Sequence, residues 1–315
     1  MFQSKTWLVW MRILRGAAVV LVVLLAACGT DPDVRTQTPG GSGEKLLVVA
    51  TTTQIRSITE AVAGDRATVR SILTPGVDAH EFEPKPSDVE AISKSGLVLK
   101  NGVGLDDWVD KLIESAGSDI PVVTVTGGVA LREGGEEHEG ADPHVWFSVA
   151  NAMTMTVNIR DALVKVDGAN ASAYAGNAER YLKELQQLDE YILAQVGSVP
   201  QEQRKMVTNH DAYGYFIERY GLTFVGSIIP SMSTDAQPSA QDVAELVKKI
   251  EDEGVRAIFL ESSINPSLAK QIGQDAGVKV IDTLYGDTLG EAGSPGETYV
   301  GMMRYNTDTI VAALK

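Results

Sequence analysis

Residues 173–196 read AYAGNAERYLKELQQLDEYILAQV. Tyr174, Tyr181, Leu185, Leu188 and Ile192 recur at steps of three, four and seven, which places them on one side of an α-helix. At 1.5 Å per residue this helix spans on the order of 40 Å, long enough to cross from one lobe to another. A helix packed within a single domain would carry the same pattern, and the pattern alone does not decide between the two. On both sides, short β-branched apolar runs alternate with amphipathic stretches. The early runs are 46–51, 68–73, 97–100 and 122–125, and the late runs are 205–208, 223–227, 257–260 and 279–282. Helical spacing marks 105–116, 151–166 and 239–253, and Ser87-Asp88-Val89-Glu90 reads as a capping box that opens a further helix. Strands alternating with helices imply βαβ units and parallel sheets. The expected fold class is therefore α/β, with four strand–helix units early and four late. The first reading is two lobes, each a mostly parallel four-stranded sheet flanked by helices, with the long helix joining them; a helix packed within one domain stays open at this point. The corresponding divisions are an N-terminal lobe over 45–170, a linking helix over 171–197 and a C-terminal lobe over 198–315. No convincing internal repeat is present.

The ends of the chain differ in character. Lys5, Arg12 and Arg15 precede an apolar, small-residue run over 16–27. That run falls well short of the roughly 20 residues of a spanning helix but suits a signal-peptide core. It closes on Leu25-Ala26-Ala27-Cys28, which resembles the bacterial lipobox, so residues 1–27 are expected to be removed and Cys28 to carry lipid. Residues 29–44, GTDPDVRTQTPGGSGE, have the composition of a flexible tether. The expected location is extracytoplasmic, lipid-anchored to the bacterial cell membrane. Loss of the three basic residues takes the formal charge from the −15 of the full chain to −18. An acidic chain without a basic block is a poor nucleic-acid binder. A single cysteine excludes a disulfide framework and any Cys-rich metal site.

The histidines carry the chemistry. There are four: His80, His138, His144 and His210. His80 follows the strand expected at 68–73, His144 follows that at 122–125, and His210 follows that at 205–208. Ligand sites in open α/β sheets form in loops at the carboxyl ends of strands. By the same rule Asp287, in LYGDTLG after the last strand, is the candidate fourth member. Three imidazoles and one carboxylate suit a borderline divalent ion, with Zn²⁺ first. Each imidazole must be neutral to bind, so affinity should fall as pH drops through the imidazole range. No H-E-x-x-H or G-x-S-x-G motif is present.

The segments ATTTQIRSITEAVAGD, GVDAHEFEPKPSD, DPHVWFS, TNHDAYGYF and LYGDTLG occur in this order over about 240 residues. In them the chain resembles the solute-binding lipoproteins of zinc and manganese ABC transporters, the cluster A-I or zinc-uptake/adhesin-B family. The resemblance implies the periplasmic-binding-protein-like, metal-binding class, two α/β lobes joined by one long rigid helix, with one ion held between the lobes by His80, His144, His210 and Asp287. It implies transport of Zn²⁺, with Mn²⁺ as the alternative, and a histidine at 210 favours zinc. It also implies an ABC permease and its ATPase as partners, a monomeric chain held to the membrane by its lipid, and no enzymatic activity. A secreted zinc metallohydrolase is the competing class. Around the site, Asp142, Asp211, Asn209 and Glu261 are candidates to hold the ligating rings, and Trp146 and Tyr213 wall the pocket or pack the core. Two departures stand out. The loop before DPH is a short REGGEEHEG, with His138 among Glu133, Glu136, Glu137 and Glu139, either a solvated acidic loop or a weak metal collector. Phe147-Ser148-Val149 replaces the family's Leu-Asp-Pro.

Overall fold

In β1 (Leu46–Ala50, LLVVA) every residue is apolar, as a strand with neighbours on both edges and helices on both faces requires. The computed structural model describes residues 45–117, 119–133 and 140–315. The expected signal segment, Cys28, the tether and residues 134–139 of the acidic loop, His138 included, lie outside the described residues.

After β1 come α1 (Thr53–Ala63), β2 (Ala67–Ser71), α2 (Pro86–Ser93), β3 (Leu97–Lys100), α3 (Trp108–Ala116) and β4 (Val122–Thr124). Then come α4 (Val149–Val166) and α5 (Ala171–Gly197). The second half holds β5 (Lys205–Thr208), α6 (Gly214–Tyr220), β6 (Thr223–Ser227), α7 (Ala240–Glu253), β7 (Ala257–Glu261), α8 (Ser267–Asp275), β8 (Lys279–Leu284) and α9 (Tyr299–Leu314). Two four-stranded sheets form, in the orders β2-β1-β3-β4 and β6-β5-β7-β8, and every pairing is parallel. The two orders are the same topology used twice, although the sequence shows no repeat. In each, the chain starts in an inner strand, steps outward and then crosses back. This creates a switch point beside β1 in one sheet and beside β5 in the other, where loops at the strand ends part to leave a crevice.

The long helix α5 buries Tyr174, Ala178, Tyr181, Leu185, Leu188, Ile192 and Val196, a stripe at helical spacing. It reaches both halves. Asn177 Nδ2 donates to Val62 O at 2.9 Å at the end of α1. Arg219 Nε of α6 donates to Asp189 Oδ1 at 2.6 Å, and the Tyr191 hydroxyl bonds Asp308 of α9. One continuous core runs from Val48 and Leu97 through the α5 stripe to Phe216, Phe259 and Met302.

Two expected boundaries are corrected. The second helix does not start from a Ser87 cap. Lys85 is the N-cap, Pro86 takes the first helical position, and the Asp88 carboxylate accepts the Lys85 N–H at 2.8 Å. Proline's fixed φ and missing N–H suit that first position. The helix expected from 105 starts at Trp108, because the chain before it is wrapped around a buried side chain. Asp106 accepts Thr51 Oγ1 at 2.6 Å, Asn101 N at 2.6 Å and Gly102 N at 2.8 Å. Three donors on one carboxylate hold this loop out of the helical ladder, and within it Val103 adopts φ 58°.

Candidate metal centre

Each candidate ligand sits in the segment that follows a strand. His80 lies in the irregular segment between β2 and α2, His210 two residues after β5, and Asp287 three residues after β8. His144 lies farther from β4, immediately before the short 3-10 turn Val145–Phe147. The Pro143 carbonyl beside it accepts Asn101 Nδ2 at 3.0 Å, which ties this loop to the end of β3.

The structure brings the four together. One ligand atom from each of His80, His144, His210 and Asp287 lies within 4.8 Å of all the others. His144 Nε2 is 3.3 Å from His80 Nε2 and 3.4 Å from His210 Nε2. Asp287 Oδ2 is 3.4 Å from the Nε2 atoms of His80 and His210, and Oδ1 is 3.4 Å from His144 Nε2. His144 and His210 are fully buried, whereas the His80 side chain keeps 9% of its surface.

The far side of each ring differs. His144 Nδ1 is 2.8 Å from Asp142 Oδ1, which also accepts the His144 N–H at 2.9 Å. His210 Nδ1 is 2.8 Å from Asn209 Nδ2 and 3.3 Å from Glu261 Oε1. For Nε2 to offer its lone pair to the cluster, Nδ1 must carry the proton, and Glu261 is the carboxylate placed to accept it. His80 is held through its backbone, its N–H donating to Asp78 Oδ1 at 2.8 Å. Asp211 does not join: its amide donates to Ser231 O at 2.8 Å, and its carboxylate bonds none of the four side chains. Trp146 and Tyr213 both wall the site and pack the core. The Trp146 ring centre is 5.4 Å from that of His144, and the Tyr213 hydroxyl donates to Tyr285 O at 3.0 Å.

Electrostatics follow from burying two carboxylates among imidazoles. Burial opposes charge on His210, but Asp287 and Glu261 outweigh it and push its pKa up to about 9. His80 is raised too, burial again being outweighed by Asp287. Asp287 is buried, yet the imidazoles of His210 and His144 hold it well below the usual carboxylate range. Glu261 moves the other way, to about 7, because burial and the Asp287 charge both disfavour its ionised form. A buried pair of unequal carboxylates among titrating imidazoles is a common signature of a functional site.

The cleft around the cluster is stitched from both halves. Gln54 Nε2 donates to Gly286 O at 3.0 Å, and Leu289 N to Thr53 Oγ1 at 2.8 Å. Gly76 N donates to Thr288 Oγ1 at 3.1 Å, and Thr234 Oγ1 to Asp78 Oδ2 at 2.6 Å. Sequence reasoning missed these residues. Their roles depend on partners more than 150 positions away, so no local spacing marks them.

The chain matches the family model described as "Zinc-uptake complex component A periplasmic" over residues 48–313. It is 36% identical over 297 residues to the manganese-binding lipoprotein MntA of Halalkalibacterium halodurans, covering 94% of this chain and 96% of the relative. It is 33% identical over 301 residues to the iron-binding protein YfeA of Yersinia pestis, covering 94% and 95%. Among solved structures, the periplasmic zinc binding protein TroA from Treponema pallidum superposes with a TM-score of 0.80 at 33% identity, covering 86% of this chain and 99% of that one.

Proposed function

The chain belongs to the family of periplasmic zinc-uptake complex component A, and on that premise we propose that it captures one divalent transition-metal ion outside the cytoplasmic membrane and hands it to an ABC importer. His80, His144, His210 and Asp287 are the ligands. The observation that carries this reading is the spacing of their donor atoms, 3.3–3.4 Å. A regular tetrahedron with zinc-to-nitrogen distances of about 2.0–2.1 Å has edges of about 3.3–3.4 Å. The contacts at that spacing include both oxygens of Asp287, and three imidazoles with one carboxylate favour Zn²⁺. Mn²⁺ is the second reading, supported by the manganese-binding relative at 36% identity.

Four protein ligands, Asp287 with both oxygens turned to the cluster, suit holding and carrying an ion better than activating a water for hydrolysis. In this reading the cargo is the substrate, and delivery is an affinity difference between a state that holds the four donors together and one that parts them. The importer's permease and ATPase are the partners. The lipid on Cys28 keeps the protein at the outer face of the membrane, with residues 29–44 as its tether. Competitive titration of metal-stripped protein with Zn²⁺ and Mn²⁺ at fixed pH tests the proposal. Tight 1:1 binding of either ion, lost on His210→Ala, is expected. Absence of tight binding by both ions sinks it.

A further inference from the structure

Ten residues before Asp142, and outside any motif, Arg132 stands behind the ring of His144. Its Nη1 donates to Asp142 Oδ2 at 2.5 Å, and the Asp142 side chain has no exposed surface. Among the described residues, the other oxygen of that carboxylate serves His144, through the backbone N–H and the ring. A carboxylate is an acceptor only. Its place against His144 Nδ1 obliges the ring proton to sit on Nδ1 and leaves the Nε2 lone pair facing the cluster. Arg132 supplies the balancing charge, since a buried carboxylate left unpaired is strongly disfavoured.

Arg132 is itself fixed from the other half of the chain. Its backbone N–H donates to the Tyr215 hydroxyl at 3.0 Å, and that hydroxyl donates to Asp142 O at 3.0 Å. Its guanidinium carbon lies 5.8 Å from the centre of the Tyr215 ring, and Nε lies 3.6 Å from Glu218. A Cβ at Gly214, the first residue of α6, would sit 1.5 Å from Nη1. The absence of a side chain at 214 therefore makes room for the guanidinium. The same helix α6 follows directly from the loop that carries His210.

We propose that Arg132 is a positioning residue of the metal centre: by clamping Asp142 from a seat on α6 it holds the His144 ring in its ligating orientation and ties it to the segment that presents His210. This rests on the capture reading above. Loss of a group that orients a ligating histidine typically costs roughly 10- to 100-fold in metal affinity. Arg132→Ala is expected to lose that much Zn²⁺ affinity, and Arg132→Lys to recover part of it. Gly214→Ala, which displaces the guanidinium without touching Asp142, is expected to weaken binding in the same direction.

The readout specific to positioning is the His144 Nδ1–H resonance of the metal-free protein. It should be slow to exchange in the wild type and broadened or lost in Arg132→Ala and Gly214→Ala. If that resonance is unchanged in Arg132→Ala, the inference is overturned, whether affinity falls with thermal stability or stays at the wild-type value. If wild-type protein binds neither Zn²⁺ nor Mn²⁺, the capture reading fails, and the His144 resonance alone still decides the role of Arg132.

Discussion

Glu261 and Asp287 meet backbone to side chain: Glu261 Oε2 accepts the Asp287 N–H at 2.9 Å, while Oε1 stands 3.3 Å from His210 Nδ1. One buried carboxylate thus sets the backbone that presents the acidic ligand and the ring that presents a histidine. The contact is close enough that a Cβ on Gly286 would fall 1.8 Å from Glu261 Cδ. Replacing Glu261 with Gln preserves its shape but removes the charge facing His210. Zn²⁺ affinity, measured against a competing chelator, is expected to fall by about 10-fold. An unchanged affinity would mean that the charge on Glu261 does not orient His210.

Removing the acidic ligand should cost more. Asp287→Asn leaves three imidazoles without their shared negative charge. A four-ligand zinc site is worth roughly 10–16 kcal/mol, so one ligand accounts for on the order of a quarter of that. A loss of at least about 100-fold in Zn²⁺ affinity is expected by calorimetric titration. A loss under about threefold would take Asp287 out of the ligand set.

The metal-free protein should grow less stable as pH rises through neutrality. His210 moves from 6.5 to about 9 on folding, so the fold holds its proton more tightly than the open chain does. Its contribution is complete below pH 6.5 and is lost as pH climbs to about 9. Glu261 acts in the same sense between its ordinary 4.5 and about 7, because the fold favours its protonated form. Asp287, held low, pulls the other way only below its ordinary 3.8. The melting temperature of stripped protein should therefore decline from pH 5 to pH 9. Zn²⁺ affinity should rise over the upper part of that range with release of protons, visible as a buffer-dependent binding enthalpy. A melting temperature that is flat or rising from pH 6.5 to 9 would contradict the proton-loaded cluster.

Away from the ligands, Asp106 should be a stability residue. Its carboxylate receives donors from Thr51, Asn101 and Gly102 in a fully buried setting. Asp106→Asn turns one of those acceptor positions into a donor facing a donor. A destabilisation of about 1–3 kcal/mol by urea unfolding is expected. Since Asn101 also holds the Pro143 carbonyl beside His144, metal affinity should weaken with it.

The alternation of apolar strands and helical stretches, read locally, was enough to determine two parallel sheets and one long helix, whereas the reach of that helix into both halves is a tertiary fact. Those patterns arise from each element burying one face, and they are legible without knowing what the face packs against. The scarcity of histidine made His80, His144 and His210 conspicuous, and the strand-end rule pointed to Asp287. Tertiary structure alone decided the rest. Pro86 moved a helix start by two positions, and the clasp on Asp106 removed the first turn of another. Only folding could show that Glu261 reaches both His210 and Asp287, that Asp211 reaches neither, and that Arg132 stands behind Asp142. These roles rest on hydrogen bonds and charges between segments far apart in the chain, and such contacts leave no periodicity in the sequence.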